Sequence, residues 1–261
     1  MTLSLAIAGK GGIGKTTFSA LVVRALAEMQ LRPVLAVDAD PNANLAEALG
    51  VDAGTPLAEI REQGSSAEGS PASGIGRVRA IDDEIQRAIV EADGFDLVTM
   101  GRPEGPRCYC YVNNLLRRSL DSLAAGYAAV VVDNEAGMEH LSRRTTNNVD
   151  FLVLVTDPTL PALRAVKRIL ALSHELPIQV GHRVVLVNRV GPGPLPEPVA
   201  RELDRIEAPR LPDVPQDDQV ERASAAGGSV FGLPAGSPAV QAVKNVVQAL
   251  RAMPAPEKKG K

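Results

Sequence analysis

Six short runs of β-branched and other apolar residues recur along the chain, at residues 3–8, 34–37, 97–100, 130–132, 152–155 and 184–187, with longer helix-patterned stretches between them. Alternation of this kind predicts parallel strands, because two parallel neighbours must be joined by a crossover and a helix is the usual one. The runs are nearly continuous in apolar residues, as expected when both faces of a sheet are covered. In the first helical stretch Phe18, Leu21, Val22, Ala25, Leu26 and Met29 recur at three- and four-residue intervals, which places one stripe against the sheet. The fold class is therefore α/β: a doubly wound, mostly parallel sheet with helices on both faces.

The 261 residues are read as a single domain over 1–261, with an insertion near 63–76 and a frayed tail after 253. Nine of the fourteen residues in QGSSAEGSPASGIG are Gly, Ser or Pro, too few apolar groups to order a core, and the strands on either side have the same character. With 28 basic and 31 acidic residues the net charge is -3, so no polyanionic partner is implied. Three Tyr, four Phe and no Trp disfavour a base-stacking or sugar-stacking platform, which rests on several exposed rings. Neither nucleic acid nor membrane is expected as a partner. No segment approaches the roughly 18 apolar residues of a membrane span. The stripe of Val240, Val243, Val246, Val247 and Leu250 has no aromatic residue and only Lys244 and Arg251 nearby, so it is read as core packing. The N-terminus has no basic n-region and reads as a first strand, and two cysteines are too few to staple a chain of this length. The expected location is cytoplasmic, in a reducing compartment.

Residues 9–16 read GKGGIGKT, a match to G-x-x-x-x-G-K-[ST] placed directly after a strand and directly before a helix. This is the P-loop NTPase arrangement. Gly11, Gly12 and Gly14 let backbone N–H groups converge on phosphate oxygens, Lys15 reaches the outer phosphates, Thr16 offers a hydroxyl to Mg²⁺, and Thr17 follows in the same helical turn. A second lysine, Lys10, lies inside the loop. So close to the glycine turn it is expected to aim outward and to neutralise phosphate charge on another subunit, in the manner of an arginine finger supplied in trans. The motif KGGxGKT resembles the deviant Walker A loop of the MinD/ParA and nitrogenase iron-protein class, and that resemblance implies that Lys10 crosses a nucleotide-sandwich dimer.

Three acids end strands: Asp38 and Asp40 in AVDADPNANL, and Asp133 in VVVDNEAG. In a parallel sheet all three emerge at the carboxyl edge beside the phosphate loop. Asp133 is expected to hold Mg²⁺ through water, Asp38 to join that shell, and Asp40 to orient the attacking water. Asn188 and Arg189 follow the strand VVLVN where related ATPases place an adenine-contacting Asn. By the same resemblance residues 215–218, beginning with Pro215, supply the other wall of the base pocket. The Asn188 amide carries both a donor and an acceptor, so ATP is expected while guanine stays chemically open.

Cys108 and Cys110 lie in MGRPEGPRCYCYVNNLLRR, in a Pro/Gly-rich loop before a helical pattern. A helix N-terminus favours thiolates, but two thiolates cannot close a tetrahedral site, and His140, His174 and His182 have no ligand-like spacing. Two copies of the pair meeting at a two-fold axis supply four sulfurs, which suits one Ni²⁺ or Zn²⁺ per homodimer. RPEG, CYCYVNNLLR and VVVDNEAGMEHLSRRT together resemble the CooC/AcsF ATPases that mature nickel-containing carbon monoxide dehydrogenase and acetyl-CoA synthase. The likeness runs over roughly residues 3–220. It implies a cytoplasmic dimeric ATPase whose client is one of those two enzymes, with Cys108 and Cys110 binding Ni²⁺ or Zn²⁺ between subunits. Arg107 departs from the small residue expected before the first Cys. Glu135, Gly137, Glu139 and His140 fall in what would be the phosphate-sensing switch.

Two other classes fit parts of the pattern. An iron-sulfur electron carrier resembling nitrogenase iron protein also uses two cysteines per subunit, though widely separated ones. A partition or positioning ATPase of ParA or MinD type needs a basic face or a membrane helix, and Arg117, Arg118, Arg143 and Arg144 are too few for either.

Overall fold

The computed structural model describes residues 2–40, 42–59, 83, 85–101, 123–134, 148–175 and 179–254. The strands are β1 (Leu3–Gly9), β2 (Val34–Asp38), β3 (Val90–Ala92), β4 (Phe95–Thr99), β5 (Ala129–Asp133), β6 (Asn148–Thr156) and β7 (Gln179–Val187). The helices are α1 (Lys15–Glu28), α2 (Leu45–Leu49), α3 (Leu160–Glu175), α4 (Glu197–Asp204), α5 (Asp218–Ala225) and α6 (Pro238–Ala252), with a 3-10 turn at Val230–Gly232 between the last two. All seven strands form one sheet in the order β3-β4-β2-β5-β1-β6-β7. Every pairing is parallel except β3 with β4.

The α/β expectation holds, with one strand unanticipated. Val90–Ala92 turns through Asp93 and Gly94 into Phe95–Thr99, with Ala92 paired to Phe95 and Gly94 at φ 89. Asp-Gly is a strong signal for a tight hairpin, but three residues are too short to show strand periodicity.

Alternate residues of the central strands serve opposite faces. Leu5 and Ile7 join α1 and α6 in one core, whereas Ala6 and Ala8 meet α3 and α4 in the other. A third cluster lies where Leu35, Val37, Val130 and Val132 meet Leu57 and Ile85. Val240, Val243, Val246, Val247 and Leu250 are fully buried against the α1 side, so the α6 stripe is core, as read from its composition. Among the described residues no helix is long and apolar enough to cross a membrane.

A buried cation ties α1 to the layer above it. Arg24, 4% exposed, donates from Nη1 to Val230 O at 2.6 Å and Leu233 O at 2.9 Å, and from Nε to Glu28 at 2.7 Å. Lys244 of α6 meets the other oxygen of Glu28 at 2.7 Å. Ser229 Oγ donates to Leu49 O, fastening the same turn to α2. Replacing Arg24 leaves two buried carbonyls without their donor and Glu28 with only Lys244. Arg24→Leu is expected to lower stability by about 2–4 kcal/mol, checked by the urea midpoint, with the ultraviolet circular dichroism of the native state retained.

Candidate functional site

The loop between β1 and α1 leaves the sheet where no side chain fits. A Cβ on Gly9 would lie 2.4 Å from Val155 O and 2.6 Å from Ile13 Cδ1. Gly12 and Gly14 then take left-handed backbone angles, φ 82 and 83, which glycine adopts at little cost. Gly14 caps α1 without a side-chain hydrogen bond, and the first turn of α1 carries no acid. The positive end of that helix is thus not neutralised locally, as an anion site requires.

A phosphate loop needs its N–H groups turned in and its carbonyls turned out. Three side chains hold the outward carbonyls here. Lys15 Nζ donates to Lys10 O at 3.2 Å, Arg189 Nη1 to Gly12 O at 2.9 Å, and Asn188 Nδ2 to Ile13 O at 2.9 Å. Lys15 is 7% exposed, whereas Lys10 and Gly11 at the loop's tip are exposed. Arg189 sits at φ 56, an uncommon conformation for a residue with a side chain, at the point where β7 ends and the guanidinium reaches back over the loop.

Beside that loop lies a cavity of about 390 Å³, lined among others by Gly14, Thr17, Asn188, Arg189, Pro215 and Glu221. Pro215 arrives there because the segment after α4 runs alongside the end of β7, with Val190 N donating to Val214 O and Gln216 N to Val190 O. The expected base-pocket residues are therefore brought together. The structure also narrows what Asn188 offers. One N–H of its Nδ2 is committed to Ile13 O, and turning the amide would set two oxygens against each other, so the orientation is fixed and Oδ1 and the second N–H are what it can offer a base edge. On the far side of α5 a second cavity of about 270 Å³ is lined by Thr16, Thr17, Asn44 and Glu47.

The strand order explains where the acids sit. β5 lies between β1 and β2, and the register pairs Asp133 with both Ile7 and Asp38. Asp133 is 1% exposed, accepts from Ser19 Oγ at 2.9 Å through Oδ1, and among the described residues its Oδ2 has no hydrogen-bond partner. Burial pushes its pKa up, the hydroxyls of Thr16 and Ser19 and the Lys15 ammonium oppose that, and Asp40 adds to it. An unpartnered carboxylate oxygen buried near the Thr16 hydroxyl is the donor set a hard, hydrated cation takes, so these residues fit Mg²⁺. Asp38, fully buried, is pushed up to about 6, by burial first and by Asp133 and Asp40 last, against two backbone amides. Those amides, Leu45 N at 2.8 Å and Asp40 N at 3.0 Å, give it a second job in shaping the loop before α2. Asp40 is half-buried in that loop and accepts from the backbone and side-chain nitrogens of Asn42, both at 2.9 Å.

Two residues of this region, Ser19 and Asn134, carry no expectation from the sequence, and a third, Asp217, read there only as part of the 215–218 wall, has a further role. Ser19 stands one turn beyond Thr16, and that spacing was its signal. Asn134, 2% exposed, donates to Ile7 O at 2.9 Å and follows the acid directly, with no pattern to mark it. Asp217 accepts from Gln219 N, Ser237 Oγ and Ala239 N, so one carboxylate serves the N-termini of both α5 and α6. Cys108, Cys110 and Arg107, the switch residues Glu135, Gly137, Glu139 and His140, the insertion at 63–76 and the last seven residues lie outside the described residues. Among the described residues no group of three or more His, Cys, Asp or Glu is placed to hold a metal ion directly. His182 stacks on Phe151 at 5.2 Å, a packing role.

A glycine turn after the first strand, a buried lysine on its own loop and strand-end acids at a carboxyl edge define a P-loop nucleotide-binding ATPase. Residues 5–230 match the model of the CobQ/CobB/MinD/ParA nucleotide binding domain. An uncharacterized ATP-binding protein of Methanocaldococcus jannaschii is 44% identical over 191 residues, covering 72% of this chain and 75% of that one. The carbon monoxide dehydrogenase accessory protein CooC of Rhodospirillum rubrum is 33% identical over 245 residues, covering 88% and 90%. Among solved structures, the septum site-determining protein MinD of Pyrococcus horikoshii, complexed with Mg-ADP, superposes with a TM-score of 0.71 at 22% identity over 97% of both chains. The chain belongs to the CobQ/CobB/MinD/ParA family and, within it, to the CooC-type ATPases.

Asp38 makes the nucleotide-free protein sensitive to acid in an unusual sense. Its folded pKa, about 6, lies above the ordinary 3.8, so between those values the folded chain binds a proton the unfolded chain does not. Stability from this group rises as pH falls from 7, by up to about 3 kcal/mol near pH 4. Urea midpoints at pH 7 and pH 5 are expected to show about 1.3 kcal/mol of that gain in the wild type relative to Asp38→Asn.

Proposed function

We propose that this protein is a homodimeric ATPase that couples ATP binding and hydrolysis to nickel binding and delivery during maturation of carbon monoxide dehydrogenase or acetyl-CoA synthase. One observation carries the geometric half: in a single loop Lys15 is buried against its own backbone while Lys10 is exposed at the tip. Only an outward lysine can reach a nucleotide held by another subunit. The similarity to CooC over most of both chains supports the nickel half.

In this reading Gly11, Gly12, Gly14, Lys15, Thr16 and Thr17 bind the phosphates. Asp133 and Thr16, with Asp38 behind them, hold Mg²⁺, which when bound neutralises charge on the transferring phosphoryl group. Asp40 orients the attacking water, and Lys10 of each protomer stabilises the charge that develops on its neighbour's nucleotide. The Asn188 amide meets the base edge, its Oδ1 taking the adenine amino group; Arg189 and Pro215 close the pocket. Cys108 and Cys110 from both protomers supply four thiolates to one Ni²⁺ or Zn²⁺. ATP drives the cycle only as far as it binds the closed dimer better than the open one.

Lys10→Ala is expected to slow ATP hydrolysis about 10³-fold while ADP affinity is retained, by phosphate release and calorimetry. ADP is expected to bind at least about tenfold more tightly than GDP. Cys108→Ser is expected to abolish binding of one metal per dimer, read by anaerobic Ni²⁺ titration with native mass measurement, while ATP binding survives.

A further inference from the structure

Among the described residues, the buried side-chain oxygens left without a partner are Asp133 Oδ2 and Asn134 Oδ1. Elsewhere the buried polar side chains are well served: Ser19 on Asp133, Asp38 on two amides, Ser237 on Asp217, Thr99 on Ala53 O. Native interiors satisfy such groups almost without exception, so two orphans on successive residues at the end of one strand call for a common cause.

Asn134 is not simply turned the wrong way. Its Nδ2 donates to Ile7 O at 2.9 Å and lies 3.4 Å from Val132 O. A flipped amide would face both carbonyls with its own oxygen, so the donors settle the orientation and Oδ1 is the atom left over. Its backbone N–H reaches the same Ile7 O at 3.2 Å. Ile7 is in register with Asp133 and stands two residues before Gly9, where the phosphate loop begins. Asn134 is thus locked to the base of that loop on one side, with a buried acceptor to spare on the other.

We propose that Asn134 is a positioning residue for the divalent cation: its Oδ1 accepts a hydrogen bond from a water of the same hydrated shell that Asp133 Oδ2 completes. The inference rests on the reading of Asp133 as the Mg²⁺ acid and adds a residue to it. A neutral carbonyl suits that place. With Asp38, Asp40 and Asp133 already at this edge, a fourth carboxylate would raise repulsion in the empty site, whereas an amide oxygen orients water without charge. The other half of the amide gives the shell a fixed distance from the loop.

The test separates the acceptor from the donor. Asn134→Leu removes both, and Asn134→Asp keeps an acceptor while losing the donor to Ile7 O. Mn²⁺ serves as the probe, its affinity for the ADP-loaded protein measured by electron paramagnetic resonance, beside ADP affinity in excess chelator and thermal melting. The expected result is a fall of about tenfold or more in Mn²⁺ affinity for Asn134→Leu, less than about threefold for Asn134→Asp, and chelator-phase ADP affinity unchanged in both. Equal loss in the two variants, or ADP affinity falling in step without metal, marks a strand staple and overturns the proposal. Should Asn134→Leu fail to fold, a Mn²⁺ affinity for Asn134→Asp more than about tenfold below wild type overturns it. Asp133→Ala is the control: if it leaves Mn²⁺ binding intact, the underlying Mg²⁺ reading fails, whereas loss there with wild-type affinity in Asn134→Leu sinks this inference alone.

Discussion

The geometry of the site depends on where three carbonyls point. A short loop of glycines can collapse in many ways, and only one exposes its N–H groups to a common centre. Donors from Lys15, Asn188 and Arg189 hold Lys10 O, Ile13 O and Gly12 O outward. Two of those donors stand nearly 180 residues away in sequence, at the end of β7. The loop is therefore shaped by the far side of the sheet, and the strain of Arg189 is the local expense of reaching it. Asn188 also lines the cavity beside the loop, so the side chain that shapes the phosphate loop is part of that cavity's wall.

Sheet order supplies the second constraint. β1 carries the loop, its neighbour β5 carries Asp133, and the next strand carries Asp38. Acids nearly 100 residues apart are forced side by side at the carboxyl edge, where burial first, and then neighbouring carboxylates, raise the pKa values of both Asp38 and Asp133. Such an arrangement is costly for an isolated protein and becomes favourable with a bound cation. The repulsion at this edge is of the kind that a divalent cation relieves.

Above α1, the fold is held by polar groups that reach across layers. Arg24 binds the Val230–Gly232 turn, Ser229 binds α2, and Asp217 gathers the starts of α5 and α6. α5, with no fully buried residue, separates the two cavities that flank the first turn of α1. The cavity beside the phosphate loop thus has one wall built from strand ends and another from a lightly packed helix anchored at its cap.

Much of this was legible in the chain itself. Nearly continuous apolar runs revealed parallel strands because burial on both faces leaves no other composition, and GKGGIGKT revealed the phosphate loop because few residues other than glycine tolerate that path. Strand-end acids were legible as a set, since a parallel sheet sends every carboxyl end to one edge. What pattern alone did not reveal was pairwise: β3 was too short to show a period, and Ser19, Asn134 and Asp217 matter through a single distant partner each. That Asn188 has one N–H already committed, and that two neighbouring oxygens remain orphaned, follows from contacts between segments more than 100 residues apart. Composition and spacing determine which chemistry gathers at the edge; only the tertiary structure decides which lone pairs are already taken, because a hydrogen bond is a property of two groups in space and not of either one in sequence.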